Sequence, residues 1–301
     1  MELRHLRYFI AVAEEGSLTL AAEKRLHTAQ PSLSRQIRDL ETEVGVKLLV
    51  RGARGIELTP AGRVFLDHAR LALLQVEVAG DAARRAAAPA KASFVLGFLT
   101  GHEVVWLPEV LRVLHNELPS IDISLASQSS PELAGALLRG KVDVAFMRRE
   151  EQTPGLAFKL LFKEPLIAVL PSGHRLAASE TVRPHDIEGE IFINPTKSAP
   201  ILKRVIDDYA AKYRIRLAAA HDAENLAMAI SLVASTGGIT LLPLYARNLL
   251  PPSVVSRPLQ GDSPVIDLVI GYSRANTSPL LKRFLSKVDD MALRVQQKSQ
   301  Q

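Results

Sequence analysis

Residues 61–88 contain no proline, and apolar side chains recur there at Phe65, Ala69, Ala72, Val76, Ala79, Ala83 and Ala86, in alternating steps of four and three. That spacing is a heptad seam along one face of a long helix. A chain of 301 residues is too long for one ordinary compact domain, so this helix is expected to separate one folded unit from another. Alanine at most seam positions lets a second backbone come close, and the segment reads as a dimerisation helix. Thr59 and Pro60 open it, Gly80 interrupts it mildly, and Ala86–Ala90 forms a hinge where Pro89 stops the helix. The expected organisation is 1–58, 59–90 for the helix and hinge, and 91–301.

Before the long helix, Leu3, Leu6, Phe9, Ile10 and Val12 share one helical face, predicting a helix over residues 3–15 that Gly16 ends. Ser17 is a natural N-cap for a short second helix with Leu18, Ala21, Ala22 and Leu26 facing inward. His27–Gln30 makes a turn, and Pro31 suits the first position of a third helix. Leu33, Ile37 and Leu40 are the buried stripe of that helix, while Gln30, Ser34, Arg35 and Arg38 fall largely on the other side. Gln and Arg make paired hydrogen bonds to adenine and guanine edges, and Ser or Thr at a helix start holds phosphate. Two helices, a turn and a polar-faced third helix constitute a helix-turn-helix. Lys47–Arg51 and Gly55–Leu58 read as two strands joined by Gly52-Ala53-Arg54-Gly55, a wing. Residues 22–54 carry seven Lys or Arg against four Asp or Glu, a local excess of three, within a net charge of +5. That balance permits nucleic-acid binding without requiring it.

From residue 3 to residue 66 the order and spacing resemble the DNA-binding domain of LysR-type transcriptional regulators. The resemblance is carried by Ser17 with Ala21-Ala22, "QPSLSRQIRDLE", "VGVKLLVR" and "LTPAG". It implies a winged helix-turn-helix in which Thr28, Gln30, Pro31, Ser32, Ser34, Arg35, Arg38 and Arg51 face DNA and Arg54 lies near a minor groove. For each residue, base readout and phosphate contact stay open. It also implies antiparallel pairing through Phe65, Ala69, Ala72, Val76 and Ala79, a homodimer or homotetramer, and contact with RNA polymerase. The opening "MELRHLRYF" and "HTAQPSLSRQIRDLE" are similar to regulators of aromatic-acid catabolism, the phenylpropionate and cinnamate type.

After residue 93 strands alternate with helices. Strands are predicted at Ser93–Leu99, Ile121–Ala126, Val142–Met147, Leu166–Leu170, Ile191–Asn194, Gly238–Leu242 and Asp267–Tyr272. Helices are predicted at Val104–Asn116, Pro131–Arg139, Ile201–Arg214, Ala223–Ala234 and Ser278–Val295. The fold class is α/β, with a parallel sheet. Two subdomains are expected, 91–162 with 268–301 and 163–267, joined by two crossings. "LRGKVDVAFMR" and "LVASTGGITLLP" resemble segments of the periplasmic-binding-protein-like effector domain of LysR regulators. Two positions depart from that pattern: Thr236 stands where Gly is usual, and Gly101 where many relatives carry a Ser that touches the effector. Ligands in such folds sit beyond the carboxyl ends of the strands. That rule selects Thr100, Gly101, His102, Ser129, Ser130, Arg148, Thr196 and Ser198 for a small organic acid, and helix N-termini at Ser130 and Ser198 suit a carboxylate. Each hydroxyl is also a plausible helix cap, and His102 is equally readable as a polar residue at a helix start.

Other chemistries find no support. The absence of cysteine excludes disulfides and cysteine-ligated zinc, and the eight histidines lack metal-ligand spacing. Gly271-Tyr272-Ser273-Arg274-Ala275 ends in Ala where a nucleophile elbow needs Gly, so it reads as a loop. No catalytic constellation or cofactor loop is visible, so no enzyme and no cofactor are expected. No apolar run reaches the roughly 18 residues of a membrane span. The first residues enter an amphipathic helix with no apolar leader, so a cytoplasmic, membrane-free protein is expected. A solute-binding protein would account only for residues 91–301. A promoter-binding regulator gated by a small molecule accounts for every segment.

Overall fold

The computed structural model describes residues 1–301 except 53–54, 88–92, 118–120, 152, 196–197 and 300–301. The chain divides into two compact units, Met1–Ala88 and Pro89–Gln301.

In the first unit, α1 (Leu3–Glu15) ends at Gly16, whose φ of +62° lets its N–H return to the Val12 carbonyl. The Ser17 hydroxyl accepts from Leu20 N and caps α2 (Leu18–Leu20). The expected second helix then widens into a π-helical turn, Ala21–Leu26, closed by His27 at φ +48°. The widening accompanies complete burial of the adjacent Ala21 and Ala22. The third helix, α3 (Gln30–Val44), begins one residue earlier than predicted, so Pro31 is its second residue. Its Leu33, Ile37 and Leu40 pack with Phe9, Val12 and Leu48 in one apolar core.

The wing strands β1 (Leu49–Gly52) and β2 (Gly55–Leu58) pair antiparallel, Leu49 opposite Leu58. The first starts two residues later than expected, because Glu41 reaches in from α3. Its carboxylate accepts Leu48 N at 2.9 Å, Leu49 N at 3.1 Å and Lys47 Nζ at 2.7 Å, replacing strand pairing there. Arg54 and the middle of the wing lie outside the described residues. Thr59 Oγ1 accepts from Gly62 N and caps α4 (Pro60–Ala87). Most of the hinge, 88–90, also lies outside them.

The second unit follows the order β3 (Ser93–Leu99), α5 (Glu103–Glu117), β4 (Asp122–Gln128), α6 (Ser130–Leu138), β5 (Val144–Met147), β6 (Leu156–Pro171), β7 (Ile191–Pro195) and α7 (Pro200–Tyr213). It continues through β8 (Ala218–Ala223), α8 (Leu226–Thr236), β9 (Thr240–Pro243), a 3-10 turn Leu244–Leu249, β10 (Val254–Pro258), β11 (Val265–Ser273), α9 (Pro279–Leu285) and α10 (Val288–Ser299). The sheet is mixed, not parallel as expected. β3 is parallel to β4 and β5, whereas β11 runs antiparallel to both β5 and β6. The reason is connectivity: β6 carries the chain out of one lobe, and β11 brings it back alongside.

The first half of β6 pairs with β11, and its second half pairs with β9 and β10. One sixteen-residue strand therefore serves two lobes where only Leu166–Leu170 was predicted. β7 and β8 extend the second lobe through a bridge between Phe192 and Ile239. Each lobe has its own apolar core, one around Phe98, Trp106, Phe146 and Phe284, the other around Val169, Phe192, Ile206 and Val233. The predicted last helix is broken at Ser286-Lys287. No helix among the described residues is long and apolar enough to cross a membrane.

Candidate functional site

On α3 the predicted division of faces is present. Pro31, Ser32, Arg35 and Arg38 are exposed, Gln30 and Ser34 half-buried, and Leu33, Ile37 and Leu40 buried. The Arg35 side chain is 79% exposed and only 4.0 Å from Asp39, a loose i,i+4 pair that leaves its guanidinium available. Arg38 instead folds back, donating from Nε to the Ser34 carbonyl at 3.3 Å. Thr28 is half-buried, and its N–H donates to Ala22 O. Arg51 lies on β1 opposite Ile56. One residue that sequence reasoning missed braces α3. His5 is buried; its Nδ1 accepts from Glu2 N, so the proton rests on Nε2, which donates to Gln36 Oε1 at 3.0 Å.

The α4 seam is split. Phe65 packs edge-on to Phe9 at 5.1 Å and Ala69 is buried, so this first turn of the seam serves the unit's own core. That corrects the expectation of a seam wholly free for a partner. Ala72, Val76 and Ala79 are exposed.

In the second unit a cleft of about 1150 Å³ opens between the two lobes. Its first-lobe wall includes Thr100, Gln128, Ser129, Ser130, Arg148 and Glu150; its second-lobe wall includes Asn194, Ser198, Leu226, Thr240 and Tyr245. The structure thus brings together Thr100, Ser129, Ser130, Arg148 and Ser198. Thr196 lies outside the described residues. Several of the hydroxyls are already engaged. Ser129 caps α6 in a reciprocal box with Glu132, the Ser198 hydroxyl donates to the Glu224 carbonyl, and Ser130 Oγ accepts from Arg148 N at 2.9 Å. Gly101 has φ +93°, and a Cβ there would meet Leu249, Leu226 and Tyr245 at 2.9–3.0 Å. Thr236 closes α8, donating to Leu232 O and accepting from Gly238 N. No cluster of metal-ligating side chains occurs among the described residues.

Residues 3–63 match the profile of the bacterial regulatory helix-turn-helix proteins of the LysR family, and residues 88–292 match the LysR substrate-binding domain. The chain belongs to the LysR family of transcriptional regulators. It is 38% identical over 295 residues to the Hca operon transcriptional activator HcaR of Escherichia coli K12, covering 96% of this chain and 98% of that one. It is 35% identical over 286 residues to the regulator AlsR of Bacillus subtilis 168, covering 95% and 94%. The full-length CbnR structure in complex with target DNA superposes with a TM-score of 0.57 at 28% identity, covering 97% of this chain and 100% of CbnR. The protein is therefore a DNA-binding regulator with an effector-binding domain, not an enzyme.

Beside the cleft this LysR regulator buries a polar cluster. Arg148 Nη2 donates to Glu164 Oε2 at 2.5 Å and to His102 Nε2 at 3.0 Å, and all three side chains are buried. Burial, and then the Arg148 charge, hold His102 well below the usual imidazole range. His102 is thus neutral, and its proton sits on Nδ1, which has no partner among the described residues. Burial pushes the Glu164 carboxyl up despite Arg148. Burial also raises Glu150, against the opposing charge of Arg204. His102 is not among the cleft-lining residues; the ring of Tyr245 covers it at 3.7 Å between centroids. Glu164, Tyr245, Gln128 and Glu150 went unread in the sequence. Only Glu164 left a signal there, a carboxylate two residues before the apolar run Leu166–Leu170.

Proposed function

We propose that the regulator binds promoter DNA through α3 and the wing, pairs with a second copy through the exposed part of the α4 seam, and takes a small organic acid with an apolar or aromatic body in the inter-lobe cleft. On this reading residues 1–58 bind DNA, 59–90 pair and hinge, and 91–301 sense the effector. Residues 91–162 with 268–301, and 163–267, are its two lobes.

The observation that carries the effector reading is Arg148, a buried cation on the wall of a cleft where Leu, Ile, Ala and Pro side chains alternate with polar and charged ones. Such a lining suits a ligand with one anionic end and an apolar remainder. The shift of Glu150 toward its neutral form lessens repulsion of an anion. The similarity to the Hca operon transcriptional activator and to CbnR bound to its target DNA supports the promoter-binding part of the reading.

Calorimetry of the full-length protein with trans-cinnamate, 3-phenylpropionate and benzoate tests the ligand. Saturable binding accompanied by an altered promoter footprint is expected. The paired change Arg148→Gln with Glu164→Gln avoids stranding a buried charge. It should weaken acid binding about tenfold or more, by loss of charge-assisted hydrogen bonds, and leave promoter binding intact. Promoter binding with no response to any acid refutes the acid reading. On the DNA side, Arg35→Ala should cost about 1–3 kcal/mol on the cognate promoter and relax base preference. Equal weakening on all duplexes makes Arg35 a phosphate contact.

A further inference from the structure

We propose that Tyr245 is a latch between the two lobes, fixing the cleft opening without effector, and that position 101 is glycine because the latch needs its backbone bare. The significance of the latch for sensing rests on the cleft being the effector site.

Tyr245 belongs to the Leu244–Leu249 turn, which comes after β9 in the second lobe. It reaches into the first lobe at three points. Its hydroxyl donates to the Thr100 carbonyl at 3.2 Å, its ring lies over His102 at a tilt of 33°, and it lies 6.0 Å from the Arg148 guanidinium carbon. Thr100 and His102 flank Gly101 in the β3–α5 loop. A Cβ on Gly101 would meet Tyr245 and, on either side, Leu226 and Leu249, both packed on the second-lobe core. A side chain there presses on the tips of these three second-lobe side chains, and φ +93° adds backbone strain that no rearrangement of them relieves. Glycine lets the first-lobe backbone sit directly on the second lobe.

The latch is also poised to release. With Tyr245 docked, His102 Nδ1 and Arg148 Nη1 are buried without hydrogen-bond partners among the described residues. Buried polar groups in that condition are costly and uncommon. The contact between the Tyr245 and His102 rings and the Thr100 hydrogen bond favour the docked state, and the two unmet donors oppose it. A ligand that prefers one opening of the cleft can then shift the balance through its differential affinity alone. Crossing strands β6 and β11 remain as the pivot when the latch lets go.

The test needs no effector. The chain has no cysteine, so spin labels on Ser124→Cys in β4 and Asp208→Cys in α7, both exposed, report the inter-lobe distance in full-length protein diluted with unlabelled copies. The parent should give one narrow distribution. Tyr245→Leu and Gly101→Ala should each lengthen the mean distance by about 3 Å or more and broaden it, as hinge opening does. Tyr245→Phe, which keeps the ring and loses only the hydroxyl, should stay close to the parent. Trp106, the single tryptophan, donates its backbone N–H to His102 O, and should become more accessible to a quencher in the two opened variants. A purely structural Tyr245 would lower the melting temperature with unchanged distances. Unchanged distances in folded Gly101→Ala overturn the latch even if Tyr245→Leu fails to fold. Because no acid is present, failure of every candidate acid to bind bears on the effector reading and not on this one.

Discussion

A single side chain on α3, Glu41, organises the root of the wing. Its carboxylate gathers two backbone N–H groups and the Lys47 ammonium there. Burial acts to raise its pKa, but Lys47 and the N–H groups of Leu49 and Leu48 outweigh that and hold it below the usual value. A carboxyl depressed in the folded state contributes stability above its unfolded pKa and loses it as pH falls through the folded value. The DNA-binding unit should therefore lose stability below about pH 4.5, and Glu41→Ala should remove part of that dependence. At neutral pH the same change strands two N–H groups and should cost about 1–3 kcal/mol, read by denaturant unfolding. In the sequence Glu41 looked like one more charge on a polar face. Its role depends on β1 folding back onto α3, which no local pattern announces. The cleft hydroxyls are the opposite case, legible as polar but not in what they bond. Ser129 and Ser198 carry the residue type of a ligand contact, and the structure spends both on local caps and loop ties.

At the level of elements, helices with a clear apolar stripe were legible to within a residue or two; α1, α3 and α4 are examples. Strands that lack such a stripe were not. β8 is Ala-Ala-Ala-His-Asp-Ala, without one β-branched residue, and it exists because β7 beside it supplies a parallel ladder. β10 is five residues long and ends in Pro258. The first half of β6 mixes Lys159, Lys163 and Glu164 with apolar residues, so its sixteen-residue run was read only where it becomes wholly apolar. On α4 the heptad spacing was visible, but not which turns the unit itself would occupy. Phe65 and Ala69 are taken, and Ala72 and Val76 are exposed. Ala72→Glu with Val76→Glu should therefore lower the mass found by light scattering while the thermal unfolding of the DNA-binding unit stays unchanged. An unchanged mass removes these turns from the pairing surface.

Across the whole second unit, the pairing of β6 with β11 has a consequence for how the chain could be cut and rejoined. Pro165 and Val265 face each other as ladder partners, and everything between them builds the second lobe. In its strand connectivity the first lobe takes that stretch of about a hundred residues as the loop of one antiparallel hairpin, with Tyr245 touching it from outside the ladder. Replacing residues 166–264 with an Asn-Gly turn, whose geometry suits a two-residue hairpin connection, should leave a first lobe with its aromatic core intact. Cooperative thermal unfolding and the retained near-ultraviolet signal of Trp106 would show it. In genetic terms the second lobe is a cassette with both ends at one rung of a ladder, open to exchange for another that keeps the strand register of its host.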